Sequence, residues 1–218
     1  MSESAARRLI RMFYAISLAI EAEKDRLSEL DGAIGDADHG ITMSIGFLAV
    51  NSELARLDAE TARPSEVMSA AATAFLNAVG ASTGPLYATG LRRAAQALAA
   101  RETLDLEDCS AMLHAIASGI RERGKGQRGD KTMLDAWLPA AEAAANAVAE
   151  GKPAAAFWQD VMAAAEAGAS ATRSMIATKG RAARVRERSL GHVDPGAASA
   201  VIILRAMASG LQPAAPAV

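Results

Sequence analysis

Ten residues, Asp31-Gly32-Ala33-Ile34-Gly35-Asp36-Ala37-Asp38-His39-Gly40, place three carboxylates and three glycines in one short stretch. Glycine tolerates tight and left-handed backbone, so such a loop can turn Asp31, Asp36 and Asp38 toward one point. Hard oxygen ligands without cysteine suit Mg²⁺ or Ca²⁺ rather than zinc. Mg²⁺ usually takes one or two protein carboxylates and keeps positions for water and phosphate, so three aspartates can hold one or two ions carrying a nucleotide. The spacing fits neither an EF-hand nor a Walker A loop. Asp and Gly are also ordinary turn formers, and Asp38 can N-cap the next helix, so this stretch alone leaves a metal site and a plain turn both open.

The elements that must position these acids read as helices joined by short loops. Leu9, Phe13, Ile16 and Ile20, with Leu27 two turns on, form one apolar stripe and predict a helix over 4–28. After the acidic loop, Met43, Ile45, Phe47, Leu48, Leu54 and Leu57 predict a second helix. Pro64 and Ser65 open a third, through Val67, Met68, Phe75, Leu76 and Val79 to Gly80. Ser82, Thr83 and Pro85 head a fourth, carrying Leu86, Leu91, Ala94, Ala95 and Leu98. A fifth covers about 105–123 with Leu106, Met112, Leu113, Ile116 and Ile120 inward. Asp130 is the expected cap of a sixth, with Met133, Leu134, Trp137, Leu138 and Val148, and a kink at Pro139. Pro153 opens a seventh through Phe157, Val161, Met162 and Met175. A polar loop over 177–194 then leads to Pro195 and an eighth helix with Val201, Ile202, Leu204 and Met207. Alanine runs such as 140–145 favour helix and let neighbours approach closely. The fold class is therefore all-α, an eight-helix up-and-down barrel or bundle.

In an up-and-down arrangement the loops after the first, third, fifth and seventh helices fall at one end. Those loops are Asp31 to Gly40, Gly80 to Pro85, Gly124 to Asp130 and Thr178 to Gly196, and they hold the unusual residues. Each leads into a helix N-terminus, whose free N–H groups and dipole favour phosphate. One end of the bundle is thus a plausible anion site with its own metal ligands.

Composition sets bounds on this reading. The 218 residues carry a net charge of −2 and are 51% hydrophobic, which gives no bulk pull toward nucleic acid or membrane. No linker divides the chain, so one domain over 1–218 is expected. The N-terminus, Met-Ser-Glu-Ser-Ala-Ala-Arg-Arg, lacks a signal-peptide apolar core, and Cys109 is the single cysteine, so a cytoplasmic protein without disulfides is expected. Cys109 near a helix start reads as a small buried hydrophobe rather than a nucleophile.

Four stretches carry a family resemblance: Leu30 to Gly40, Val79-Gly80-Ala81-Ser82-Thr83-Gly84-Pro85-Leu86, Gly129-Asp130-Lys131-Thr132-Met133-Leu134-Asp135, and Lys179-Gly180-Arg181 through Glu187 to Gly196. In order and wording they closely resemble the nucleotide-binding L subunit of dihydroxyacetone kinases, over nearly the whole chain. The resemblance implies an eight-helix barrel with the nucleotide at one end. It implies a separate K subunit that holds the ketose through a histidine, with the phosphoryl donor here. It implies either ATP as substrate or bound ADP recharged by a phosphotransferase-system M subunit. Carried over by residue, Asp31, Asp36 and Asp38 hold two Mg²⁺ ions at the nucleotide phosphates and form the catalytic centre. His39, Gly40, Ile41 and Thr42 begin a helix against the phosphates, and Ser82 and Thr83 donate to them. Gly124 and Met133 border the adenine, Arg181 meets phosphate or ribose, and Asp194, Pro195 and Gly196 complete the rim. Thr42 stands where the family often has asparagine, and Ala81 where a second glycine is common.

Plainer readings accompany these. His39 could serve its loop alone, His114 reads as structural, and His192 could serve loop packing. Arg181, Arg184, Arg186 and Arg188 read either as a solvated basic face or as a dock for an acidic partner. Trp137 reads as core. A nucleotide-binding regulatory module without turnover would need the same pocket, and a fatty-acid-kinase relative would need a longer chain. The ketose, dihydroxyacetone or a tetrulose, and any homodimer are left open by these residues.

Overall fold

The computed structural model describes residues 3–211, so the first two residues of the N-terminal stretch lie outside it. Among the described residues there is no strand. Within them nine α-helices follow one another: α1 (Ala5–Ala22), α2 (Lys24–Gly32), α3 (His39–Leu54), α4 (Pro64–Ala78), α5 (Thr83–Ala97), α6 (Leu106–Gly124), α7 (Leu134–Ala149), α8 (Ala154–Ala171) and α9 (Pro195–Leu211). From α3 onward each helix packs on the next, and α9 returns to α1, which packs on α3. The ring of eight is closed, with α2 set against α3 and α9. α9 is buried at every position except Arg205 and Ser209, as an apolar helix surrounded by others must be. Among the described residues no helix is long and apolar enough to cross a membrane.

Small residues set the spacing. A Cβ added at Gly119 would lie 2.8 Å from the Gly90 Cα, and one at Gly210 would lie 2.6 Å from the Met12 Cα, so α5–α6 and α1–α9 touch backbone to backbone. On α7, Ala140, Ala141, Ala144 and Ala147 are buried, and a Cβ added at Gly168 of α8 would lie 1.9 Å from the Asp135 carbonyl oxygen of α7. Larger side chains fill the middle. Phe47, Phe75, Tyr87 and Trp137 form a continuous set of ring contacts, with centroids 5.1 to 6.4 Å apart in mostly edge-to-face geometry.

The structure departs from the sequence expectations in four places. The first expected helix is two, broken at Glu23 (φ −104°, ψ 4°). Periodicity missed the break because Leu27 falls seven residues after Ile20 and stays buried on the redirected α2. Ile45 and Leu48 are about half exposed, and the buried face of α3 is Met43, Phe47, Val50 and Leu54. Asp130 does not cap α7. Its carboxylate accepts from the Gln127 N–H and the Thr178 hydroxyl, while Asp135 accepts from the Thr132 N–H at 2.8 Å. α8 ends at Ala171, before Met175, in a 3₁₀ turn over Thr172–Ser174.

Candidate functional site

Asp31 lies in the last turn of α2 and is buried. Its Oδ2 accepts from the backbone N–H groups of Asp38 (3.0 Å) and His39 (3.2 Å), which folds the loop back over it. Gly35 is required by space, since a Cβ there would stand 2.2 Å from Asp31 Oδ1. Gly40 serves close approach as well: a Cβ would meet the Lys24 carbonyl oxygen at 1.9 Å, so α2 and the head of α3 touch without a side chain between them. Asp38 occupies the N-cap position of α3, yet its side chain makes no capping bond. The plain capping role is thus not the one its carboxylate performs. Asp31, Asp36 and Asp38 each bring one oxygen within 4.8 Å of the others. A hard cation with metal–oxygen distances of about 2.0–2.6 Å spans such a separation.

Beside this loop opens a cavity of about 450 Å³, and all four loops singled out in the sequence line it. Asp31, Asp36, Asp38, His39 and Thr42 form one wall, and Ser82 and Thr83 another. Leu86, Ile120, Met133 and Leu134 supply an apolar side beside Gly124, and Arg181, Asp194, Pro195 and Gly196 close the rim. Gly40 and the half-exposed Ile41 stand outside the lining. The hydroxyl of Thr83 is buried on the cavity wall and has no hydrogen-bond partner. An orphaned buried donor costs about 1–3 kcal/mol, so this one fits a ligand that accepts from it. Four helices, α3, α5, α7 and α9, begin at or beside this cavity, so the positive ends of their dipoles favour an anion there.

Charge is arranged around the acids. Arg181 pairs with Asp36 and stands 3.9 Å from Asp38. The side chains of Arg184, Arg186 and Arg188 are exposed, on a 3₁₀ stretch over Ala182–Ser189 interrupted at Arg186 (φ 48°, ψ −122°). His39 is buried, and its Nε2 lies 2.9 Å from the Ser199 hydroxyl, which itself donates to the Gly196 carbonyl. Burial lowers the His39 pKa to about 4 against the pull of Asp31, so the ring is neutral and tethers α3 to α9. Burial pushes the Asp194 carboxyl up to about 7, opposed by the Ala197 N–H and by Lys131. His114 is exposed and 3.4 Å from the Ser118 hydroxyl, His192 is exposed, and Trp137 is core. Cys109 is buried, with its thiol pushed up to about 12 by desolvation, as an inert core residue should be.

Two residues escaped the sequence reading. Lys131 was quoted in a motif without a role, yet it is 1% exposed and lines the cavity. Asp135, also fully buried, shapes the preceding turn by accepting from the Gly129 and Thr132 N–H groups. A lysine between Asp130 and Thr132, just after Gly129, reads as a solvated loop residue. Only its left-handed backbone, φ 60°, turns the Lys131 side chain inward, and no local pattern announces that.

A model of the DAK2 domain family matches residues 33–209. The chain belongs to this family. It is 36% identical to "PEP-dependent dihydroxyacetone kinase 2, ADP-binding subunit DhaL" of Listeria innocua, over 89% of this chain and 90% of the relative. With "PEP-dependent dihydroxyacetone kinase, ADP-binding subunit DhaL" of Escherichia coli it shares 37%, over 85% and 88%. These relatives bear out the resemblance to dihydroxyacetone kinase L subunits. With the "Triokinase/FMN cyclase" of Rattus norvegicus it shares 33% over 95% of this chain but 36% of that one. The fold is also that of the dihydroxyacetone kinase of C. freundii solved with AMP-PNP and Mg²⁺: TM-score 0.71, 23% identity, covering 96% of this chain and 35% of that one.

Proposed function

We propose that this protein is the nucleotide-presenting subunit of a short-ketose kinase, active on a ketose held by a separate K-type subunit. One observation carries the reading: three convergent carboxylates and an unpartnered buried hydroxyl, Thr83, face one cavity ringed by helix N-termini. Mg²⁺, as two ions, would neutralise and align the phosphates of ADP or ATP. Asp31, Asp36 and Asp38 would hold the metal, with Asp31 kept in place by the Asp38 and His39 amides. Thr83 and Ser82 would donate to phosphate oxygens, and His39 and Thr42 would stand at the head of α3 beside them. Gly124 and Met133, with Leu86 and Leu134, would take the adenine face. Arg181 would leave Asp36 for phosphate or ribose, and Asp194, Pro195 and Gly196 would bound the sugar. Gly40 would act by letting α2 meet α3, and Ile41 would lie at the mouth.

The relatives' names, PEP-dependent or PTS-dependent with an ADP-binding subunit, support phosphoenolpyruvate as ultimate donor through bound ADP, and we assign its delivery to an M-type subunit. We take residues 1–218 as one such domain, working in the cytoplasm. Purified protein given Mg-ATP and dihydroxyacetone should be silent, and turnover should appear when a ketose-loaded K-type subunit is added. Turnover by the chain alone, persisting after stringent removal of any K-type subunit, would contradict the division of labour. Tight nucleotide binding with no turnover beside any K-type subunit would point instead to a regulatory module.

A further inference from the structure

Lys131 combines features that rarely coincide. It is 1% exposed, although lysine is almost never fully buried unless paired. Its backbone is left-handed at φ 60°, where a side chain with a Cβ is strained and glycine is not. The turn that holds it there is built around it: Gly129 and Thr132 both donate to the Asp135 carboxylate, and Thr178 donates to Asp130 through backbone and hydroxyl. The ammonium Nζ donates to the Thr172 carbonyl (2.6 Å) and to the His192 carbonyl. Those two carbonyls stand at the beginning and near the end of the segment 172–194, which carries Arg181 and delivers Asp194 to the head of α9. Thr172 adds a second tie, its Oγ1 accepting from the Asp194 N–H at 3.0 Å.

We infer that Lys131 is a positioning residue for the nucleotide, its ammonium fastening segment 172–194 and the head of α9 to the 129–135 turn so that the rim of the cavity has one shape. This rests on the nucleotide reading above and adds to it a residue that acts through the rim. The fold shows why a plain core role does not account for it. An apolar side chain of the same length would fill the space but leave the His192 carbonyl without its donor and the Thr172 carbonyl with the Met175 N–H alone, and the segment they anchor is the cavity wall rather than the ring of helices. Asp194 and Asp135 are the carboxylates acting on this charge, and Arg173 is the cation opposing it.

The test compares wild type with K131M, which keeps length and loses charge, and K131R, which restores charge. Mg-ADP is titrated by calorimetry, and trypsin cleavage at the arginines of 181–188 reports whether the segment is fastened. K131M should bind Mg-ADP about tenfold more weakly or worse, the scale of a lost buried hydrogen bond to a charged group, and should be cut faster in 181–188 while Mg²⁺ alone binds as in wild type. K131R should recover much of both properties. Unchanged Mg-ADP binding by K131M overturns the inference, as does equal impairment of both variants, which would make size the requirement. If K131M does not fold, hydrogen exchange on wild type decides: 129–135 and 172–194 should open together and both slow with Mg-ADP, and independent opening overturns the inference. A wild type that binds no Mg-ADP would instead defeat the nucleotide reading itself.

Discussion

The guanidinium of Arg181 rests on the carboxylate of Asp36, one of the three acids gathered at the head of the cavity. The same guanidinium is 3.9 Å from Asp38. A cation supplied from 145 residues away along the chain thus already offsets the repulsion of the acidic loop. A divalent ion bound by the three acids would compete with Arg181 for Asp36.

From that competition follow two effects of opposite sign in R181M. Both partners are more than a third exposed, so the pair is worth at most about 1 kcal/mol, and its loss should tighten binding of Mg²⁺ alone by no more than about fivefold. Mg-ADP should bind about tenfold more weakly, since a charge-assisted bond to phosphate is lost. Calorimetric titrations of Mg²⁺ and of Mg-ADP measure both. Weaker binding of Mg²⁺ alone would mean that Arg181 does not compete.

Thr83 offers a cleaner separation of folding from binding. T83V keeps the branched shape and removes a buried hydroxyl that has no partner. The ligand-free protein should be as stable as before, or more stable by up to about 1–2 kcal/mol, because an unsatisfied polar group is gone. Nucleotide affinity should fall by about tenfold, the value of one hydrogen bond to a charged acceptor. Chemical denaturation and a binding isotherm on the same preparation check the pair. Unchanged affinity would show that the hydroxyl serves no phosphate.

Much of this site was legible because its chemistry is local. Asp31, Asp36, Asp38 and their glycines sit within ten residues, and the four polar loops fall at one end by simple alternation of helix direction. Ile45 and Leu48 were misplaced because α3 is apolar on nearly every face, so spacing alone could not choose the inner one. Asp130 was misread because a cap, a turn and a long-range clasp to Thr178 call for the same residue type. Lys131, Ser199 and the Arg181–Asp36 pair depend on contacts across 41 to 160 positions, which no local pattern encodes.

The buried Asp194 gives stability a pH dependence that can be signed. Its folded-state pKa is raised to about 7 by burial, above its ordinary value of 3.8. The folded state therefore binds the extra proton, and the contribution is fully present below about pH 4 and is lost as pH rises through about 7. His39, lowered to about 4, has the reverse slope between about pH 4 and 6.5 because the unfolded state binds its proton. It has this slope in wild type and in D194N alike, so the difference between the two isolates Asp194. Measured without metal or nucleotide, the melting temperature of D194N minus that of wild type should rise from pH 4 to pH 7.5. A flat difference would mean that Asp194 is ionised throughout, held by Lys131.

If Asp31, Asp36 and Asp38 hold the metal that carries the nucleotide, D36N should uncouple Mg²⁺ from nucleotide binding. The substitution keeps the shape and removes one charge from a partly exposed ion pair, so the metal-free protein should stay within about 1 kcal/mol of wild type. With Mg²⁺ present and ADP at about a hundred times its dissociation constant, wild type should gain about 2.7 kcal/mol, seen as a rise in melting temperature. In D36N the Mg²⁺-dependent part of that rise should be mostly gone at the same concentrations. An undiminished rise would contradict the account and leave Asp36 a turn residue, with the phosphates held by the helix N-termini alone.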